Sequence, residues 1–216
     1  MLTKLSKETP GLQGRPELPS QSQDLINTYS HVDHREMPIP DPRSHDRGRI
    51  AIFVDGSNLF YAAMQLGIEI DYTKLLCYLT QDSQLLRAFF YTGIDRVNDK
   101  QQGFLLWMRR NGYRVVTKDL VQLPDGSKKA NLDVEIAVDM MTLADHYDTA
   151  VLVSGDGDLA YAVNAVSYRG ARIEVVSLRS MTSDSLINVA DQYTDVADLK
   201  PYIQKVSRTN YTYHPL

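Results

Sequence analysis

Ile50-Ala51-Ile52-Phe53-Val54 is an unbroken apolar run that stops on Asp55 and turns at Gly56. A strand that is apolar at every position has no face to give to water, so it belongs at the centre of a sheet covered on both sides. From Arg49 onward, strand-type runs alternate with helical stretches. Leu86–Tyr91, Tyr113–Thr117, Thr149–Val153 and Arg172–Ser177 read as further strands. Asn58–Gly67, Tyr72–Leu79, Asp99–Arg110, Leu132–His146, Leu159–Tyr168 and Ser185–Ala190 read as helices, and Val196–Ile203 packs the end. Asn111-Gly112 and Gly170 are helix stops, and Pro124-Asp125-Gly126 is a turn signal. Alternation at this spacing predicts an α/β fold, a three-layer α/β/α sandwich around a mainly parallel sheet.

Residues 1–47 have a different character. Six of the nine prolines lie there, among Gln, Ser, Asp and His. Apolar residues are too sparse to offset the entropy of ordering, so this segment is expected to be a disordered arm. The folded domain is expected over 48–205, with a short tail at 206–216. His31 and His34 have a spacing that suits a metal, but no cysteine or second histidine pair accompanies them, and they read as solvated. Cys77, the single cysteine, excludes an internal disulfide; flanked by Leu75, Leu76 and Leu79, it is expected to be a buried thiol. No stretch reaches the ~18 apolar residues of a membrane span. The N-terminus lacks the apolar core of a signal peptide. The expectation is a cytoplasmic protein with no membrane partner.

A formal net charge of −4 gives no global attraction for a polyanion. A nucleic-acid partner would need a local basic patch or a metal bridge. The acids point to the second. Asp55 ends the first apolar run, and Asp156 and Asp158 follow the Leu152-Val153 strand across Gly155 and Gly157. In open α/β sheets, ligands bind outside the carboxyl ends of parallel strands. Asp133 lies on a helical stripe with Ile136, Ala137, Met140 and Ala144, which should face the sheet; an unpaired carboxylate there carries a heavy desolvation cost. Two carboxylates about 4 Å apart repel by roughly 4 kcal/mol at a surface-like dielectric, and a hard cation such as Mg²⁺ or Mn²⁺ is the usual relief.

Capping of the first helix does not require Asp55, since Ser57 or Asn58 could serve, and Asp158 alone could cap the helix after the 155–158 turn. Glu135 and Asp139 share a polar stripe with Thr142 and His146 and read as a solvated face by periodicity. Ser57, Asn58 and Ser154 stand beside the acids, and Ser154 could support a neighbouring carboxylate or a water. Lys128 and Lys129 precede Asp133 and could hold a phosphate. These five are the candidate substrate-binding residues. Arg109, Arg110, Arg114 and Lys118 could extend a basic rim.

Asp55-Gly56-Ser57-Asn58, then Lys129-Ala130-Asn131-Leu132-Asp133-Val134 with Asp139, then Ser154-Gly155-Asp156-Gly157-Asp158 together resemble the three signatures of NYN domains, and of their bacterial LabA-like branch. The likeness runs from about residue 49 to 200. Any one motif is weak; the ordered set is specific. The resemblance implies a PIN-like nuclease fold and an Mg²⁺- or Mn²⁺-dependent ribonuclease acting on RNA. Carried over by position, Asp55, Asp133, Asp156 and Asp158 would be the catalytic and metal-binding acids, with Asn58 beside them. The resemblance also lifts Asp139 to second rank. Gly157 stands where a serine is frequent, and Leu159 where an aromatic is common. Some LabA-like proteins are associated with regulation of gene expression. The alternative is therefore a non-catalytic or weakly catalytic regulatory module that binds RNA or a protein, including a second copy of itself.

Other chemistries fit less well. A haloacid-dehalogenase-type phosphatase needs a second acid where Ser57 stands. A receiver domain needs an early acidic pair. A dinucleotide-binding fold needs G-x-G-x-x-G after the first strand.

Overall fold

The computed structural model of the chain describes residues 47–206 apart from Leu123, Asp125 and Ser127. The expectations for the arm (save Arg47), for the tail (save Val206) and for His31 and His34 lie outside those residues.

Strand β1 (Arg49–Asp55) is the central strand its composition requires: it is buried from Ile50 to Val54. It pairs in parallel with β2 (Gln84–Ile94) on one side and β6 (Thr149–Val153) on the other. With β3 (Tyr113–Asp119), β7 (Arg172–Ser177) and β8 (Gln192–Asp195), these form a six-stranded sheet in the order β3-β2-β1-β6-β7-β8. Every pairing in that sheet is parallel. The strand order reverses between β1 and β6. That reversal opens a crevice at the carboxyl edge, because the connections leaving the two strands go to opposite faces.

Alternate residues of β1 feed two cores. Ile50, Ile52 and Val54 face a layer built by α1 (Gly56–Leu66), α2 (Tyr72–Leu79), α3 (Asp99–Arg110) and α7 (Val196–Ile203). Ala51 and Phe53 face the other layer, α4 (Asp133–Leu143), α5 (Ala160–Ser167) and α6 (Asp184–Ile187). The three-layer sandwich expected from the alternation is the fold observed.

Several details differ from the sequence reading. Strand β2 is longer than Leu86–Tyr91, and β8 is an additional strand beyond those expected; its Gln192–Asp195 alternates weakly and sits at the sheet edge. A small antiparallel ribbon, β4 (Val121–Gln122) with β5 (Lys128–Lys129), flanks the Pro124–Gly126 turn. Cys77 is exposed, not buried. The buried residues of α2 are Leu75 and Leu79. At 3.6 residues per turn, Cys77 is rotated about 200° from each and faces water. Among the described residues, no helix is long and apolar enough to cross a membrane.

Candidate functional site

The end of β1 and the loop after β6 meet at the crevice. Asp55 leaves β1 in an extended conformation and accepts hydrogen bonds from the backbone N–H groups of Ser57 (3.0 Å) and Asn58 (3.1 Å). It is therefore the N-cap of α1, and the expectation that Ser57 or Asn58 could serve instead does not hold. Strand geometry decides this: the helix begins at Gly56, so only Asp55 retains the extended backbone a cap needs. Its second oxygen accepts from the Ser154 hydroxyl at 3.2 Å. Gly56 is obligatory for packing. A Cβ there would lie 2.6 Å from Phe90 Cζ and 2.7 Å from the Tyr91 carbonyl oxygen.

After β6, Asp156 caps a short 3-10 turn (Gly157–Leu159) by accepting from the Asp158 N–H at 3.0 Å. The cap is Asp156, not Asp158, which leaves the Asp158 carboxylate exposed and unengaged by capping. Ser154 accepts from the Asp156 N–H at 3.2 Å, so one hydroxyl ties Asp55 to the Asp156 loop. Asn58 braces the same loop. Its side-chain oxygen accepts from the Gly155 N–H (3.1 Å) and the Ser177 hydroxyl (3.3 Å). Gly157 stands in close contact too: a Cβ would come within 2.7 Å of Ser183 Oγ, so the serine frequent there would not fit without movement. Leu159 is buried in the α4–α5 core, filling the place where an aromatic is common.

Asp133 begins α4, on the stripe with buried Ile136, Met140 and Ala144. One carboxylate oxygen each from Asp133, Asp156 and Asp158 lie within 4.8 Å of one another. Asp55 stands beside this trio, close enough to repel both Asp156 and Asp133. Burial pushes the Asp55 carboxyl up from its ordinary range, with Asp156 adding to the rise and its three hydrogen bonds opposing it. Asp133 is likewise pushed up by burial and then by Asp156, Asp55 and Asp158, against a lowering hydrogen bond from Asn131. Among the described residues, no lysine or arginine forms an ion pair with any of the four. A group of carboxylates offering oxygen alone, of which Asp55 and Asp133 are pushed up chiefly by burial and further by their acidic neighbours, fits a hard divalent cation.

On the polar stripe, Thr142 and His146 are exposed, whereas the two acids are tied to the sheet. Asp139 accepts from the Tyr91 hydroxyl at 2.9 Å, and burial and Asp139 push that phenol well above its ordinary range, so it remains a donor. Glu135 pairs with Lys118 at 2.8 Å, which holds its carboxyl below the usual range, while its other oxygen is buried without a partner. Periodicity missed both partners because they come from β2 and β3, far away in sequence. Of the rim cations, Lys118 is thus engaged and Arg114 lies over Phe89, while Arg109 and Arg110 are exposed at the far end of α3. Lys129 is exposed on the ribbon, and Ser57 is exposed beside Asp55. A separate cavity of about 770 Å³, with Phe60, Phe104 and Trp107 in its wall, lies between α1, α2 and α3; none of the acids of the site lines it.

Comparison with known proteins bears on the family and the fold. Residues 49–204 match the NYN domain family. The chain is 38% identical over 168 residues to the low amplitude and bright protein LabA of Synechococcus elongatus, covering 74% of this chain and 90% of that one. It is also similar to the crystal structure of a protein of unknown function from Vibrio parahaemolyticus, with a TM-score of 0.64 and 29% identity, covering 74% of this chain and 99% of the other. A match running from β1 to the end of α7, together with 38% identity to LabA over most of both chains, places the chain in the NYN domain family.

Proposed function

We propose that the chain is a metal-dependent ribonuclease that hydrolyses RNA phosphodiester bonds at the crevice between β1 and β6. The observation that carries this reading is the approach of Asp133, Asp156 and Asp158 to within 4.8 Å of one another, with Asp55 beside them and, among the described residues, no lysine or arginine paired with any of the four. Asp133, Asp156, Asp158 and Asp55 would hold Mg²⁺ or Mn²⁺. Such an ion, when bound, supplies an activated water at neutral pH and stabilises charge at the phosphorus.

The chain's own groups do the rest. Backbone N–H groups and Ser154 fix both oxygens of Asp55, so its carboxylate needs no reorganisation on binding. A carboxylate raised by burial is also better matched to accept a proton from an attacking water than one in bulk solvent. Ser57, beside Asp55, and Lys129, on the β4–β5 ribbon, are exposed and, with Lys128, would hold the RNA backbone; a lysine serves phosphate as a point charge. Asn58 would act mainly by keeping the Gly155 loop in register, since its oxygen is already bonded there.

The likeness to LabA bears on a second reading, in which the same pocket is kept by a regulatory RNA- or protein-binding module. Cleavage assays separate the two. The purified protein is incubated with single-stranded and hairpin RNA in Mn²⁺ or in EDTA, beside Asp55→Asn. The nuclease reading expects cleavage by the wild type in Mn²⁺ alone, and a loss of at least 100-fold in the variant, of the order seen when a metal site is disabled. Mn²⁺ binding without cleavage of any RNA would move the regulatory reading ahead. Equal cleavage by Asp55→Asn would overturn the assigned mechanism.

A further inference from the structure

Lys118, near the end of β3, reaches across to the segment that carries Asp133. Its ammonium donates to the Asn131 carbonyl at 3.0 Å and pairs with Glu135 at 2.8 Å. Those partners stand two residues before and two residues after Asp133. The Asn131 side chain in turn accepts from the Asp133 N–H at 2.8 Å and hydrogen-bonds the Asp133 carboxylate. Leu132, at the N-cap position of α4, makes no side-chain cap bond, so the first turn of this helix is secured from outside it. Further along the same excursion, Leu120 and Ala130 close over Gly93; a Cβ on Gly93 would lie 2.5 Å from Leu120 and 3.1 Å from Ala130.

We infer that Lys118 is a positioning residue for the acidic site: it holds Asn131 and Glu135 so that the Asp133 carboxylate stays beside Asp156 and Asp158. The inference rests on the reading of those acids as a metal site. It removes Lys118 from the set of cations free to contact RNA, because its charge is already spent on Glu135 and the Asn131 carbonyl. The pair is about half-exposed, 47% and 34% for the two side chains, and such pairs contribute little to global stability. Its effect is therefore local.

The sign of the effect tests the idea. Removing a nearby positive charge should, by Coulomb's law alone, strengthen cation binding. Loss of a positioning contact should weaken it, by about 10-fold at the lower end of what outer partners of metal ligands contribute. Mn²⁺ affinity of the full chain is measured by calorimetry for wild type, Lys118→Met, Lys118→Arg, Glu135→Gln and the Lys118→Met/Glu135→Gln double variant. Arg169→Met, which breaks the distant Arg169–Asp145 pair, serves as the control. Affinity should fall about 10-fold in Lys118→Met, recover in part in Lys118→Arg, fall no further in the double variant, and be unchanged in the control. The melting temperature of Lys118→Met should stay within a few degrees of wild type; if that variant does not fold, the charge-balanced Lys118→Met/Glu135→Gln double variant carries the comparison, since Coulomb's law alone expects no change there and loss of the positioning contact expects weaker binding. RNA binding in EDTA should keep its salt dependence, whereas loss of a phosphate contact would lower the slope by about one. Unchanged or tighter Mn²⁺ binding in Lys118→Met, or a reduced salt slope with Mn²⁺ affinity intact, overturns the inference and leaves the metal reading standing. A wild-type chain that binds no Mn²⁺ overturns both.

Discussion

Asp55 is asked to do two things that conflict without a cation: cap α1 as an ionised group and sit buried beside Asp156. Its carboxyl is raised above the ordinary 3.8 chiefly by burial. The native state therefore holds this proton more tightly than the unfolded chain does. The resulting stability is fully present below the ordinary value of 3.8 and is lost as pH rises through the raised value in the folded protein. Asn at this position keeps an oxygen for the cap and carries no charge. In EDTA, Asp55→Asn should melt a few degrees higher than wild type at neutral pH, and the difference should shrink toward zero as pH falls toward 4. Addition of Mn²⁺ should reverse the order, because ligand binding stabilises only the form with the intact site. Thermal melts across pH with and without Mn²⁺ check this; a wild type that melts above the variant in EDTA at neutral pH would show that Asp55 is not under strain.

Helix α4 is fastened to the sheet by polar contacts as well as by its apolar stripe. Tyr91 of β2 donates to Asp139, and Lys118 of β3 pairs with Glu135, so both acids next to the Asp133 stripe are tied to strands. Tyr91 stacks against Phe89, which stacks on Phe53, so the hydroxyl stands on a rigid aromatic column. Tyr91→Phe preserves that column and removes the donor alone. The expected result is a loss of about 1–2 kcal/mol, the cost of leaving a partly buried acceptor unpaired, read as a lower urea midpoint with an unchanged slope. Stability equal to wild type would mean that water replaces the phenol at Asp139. Asp139 thus belongs to the scaffold that seats α4.

At the scale of the molecule, the buried apolar residues among those described run from Ile50 to Ile203, and Arg47 joins the domain by pairing with Glu174 at 2.8 Å. Removal of residues 1–46 should therefore leave cooperative melting and Mn²⁺ binding nearly as in the full chain; a fall of more than about 10 °C in melting temperature would assign that segment a share of the core. Much of this molecule was legible in one dimension. Continuous apolar runs, helix stops and the places where strands end on acids depend on neighbours in sequence, so they marked the parallel sandwich and the central place of β1 and, with the helical stripe of Asp133, brought Asp55, Asp133, Asp156 and Asp158 forward as candidates. Partners of polar side chains depend instead on which strands lie side by side. Only the fold brought Lys118 to Asn131 and Glu135, Tyr91 to Asp139, and Asn58 to Gly155 and Ser177, and only helix phase turned Cys77 outward. Periodicity records whether a residue faces the sheet; it carries no information about what stands opposite, because that is set by sheet order and register.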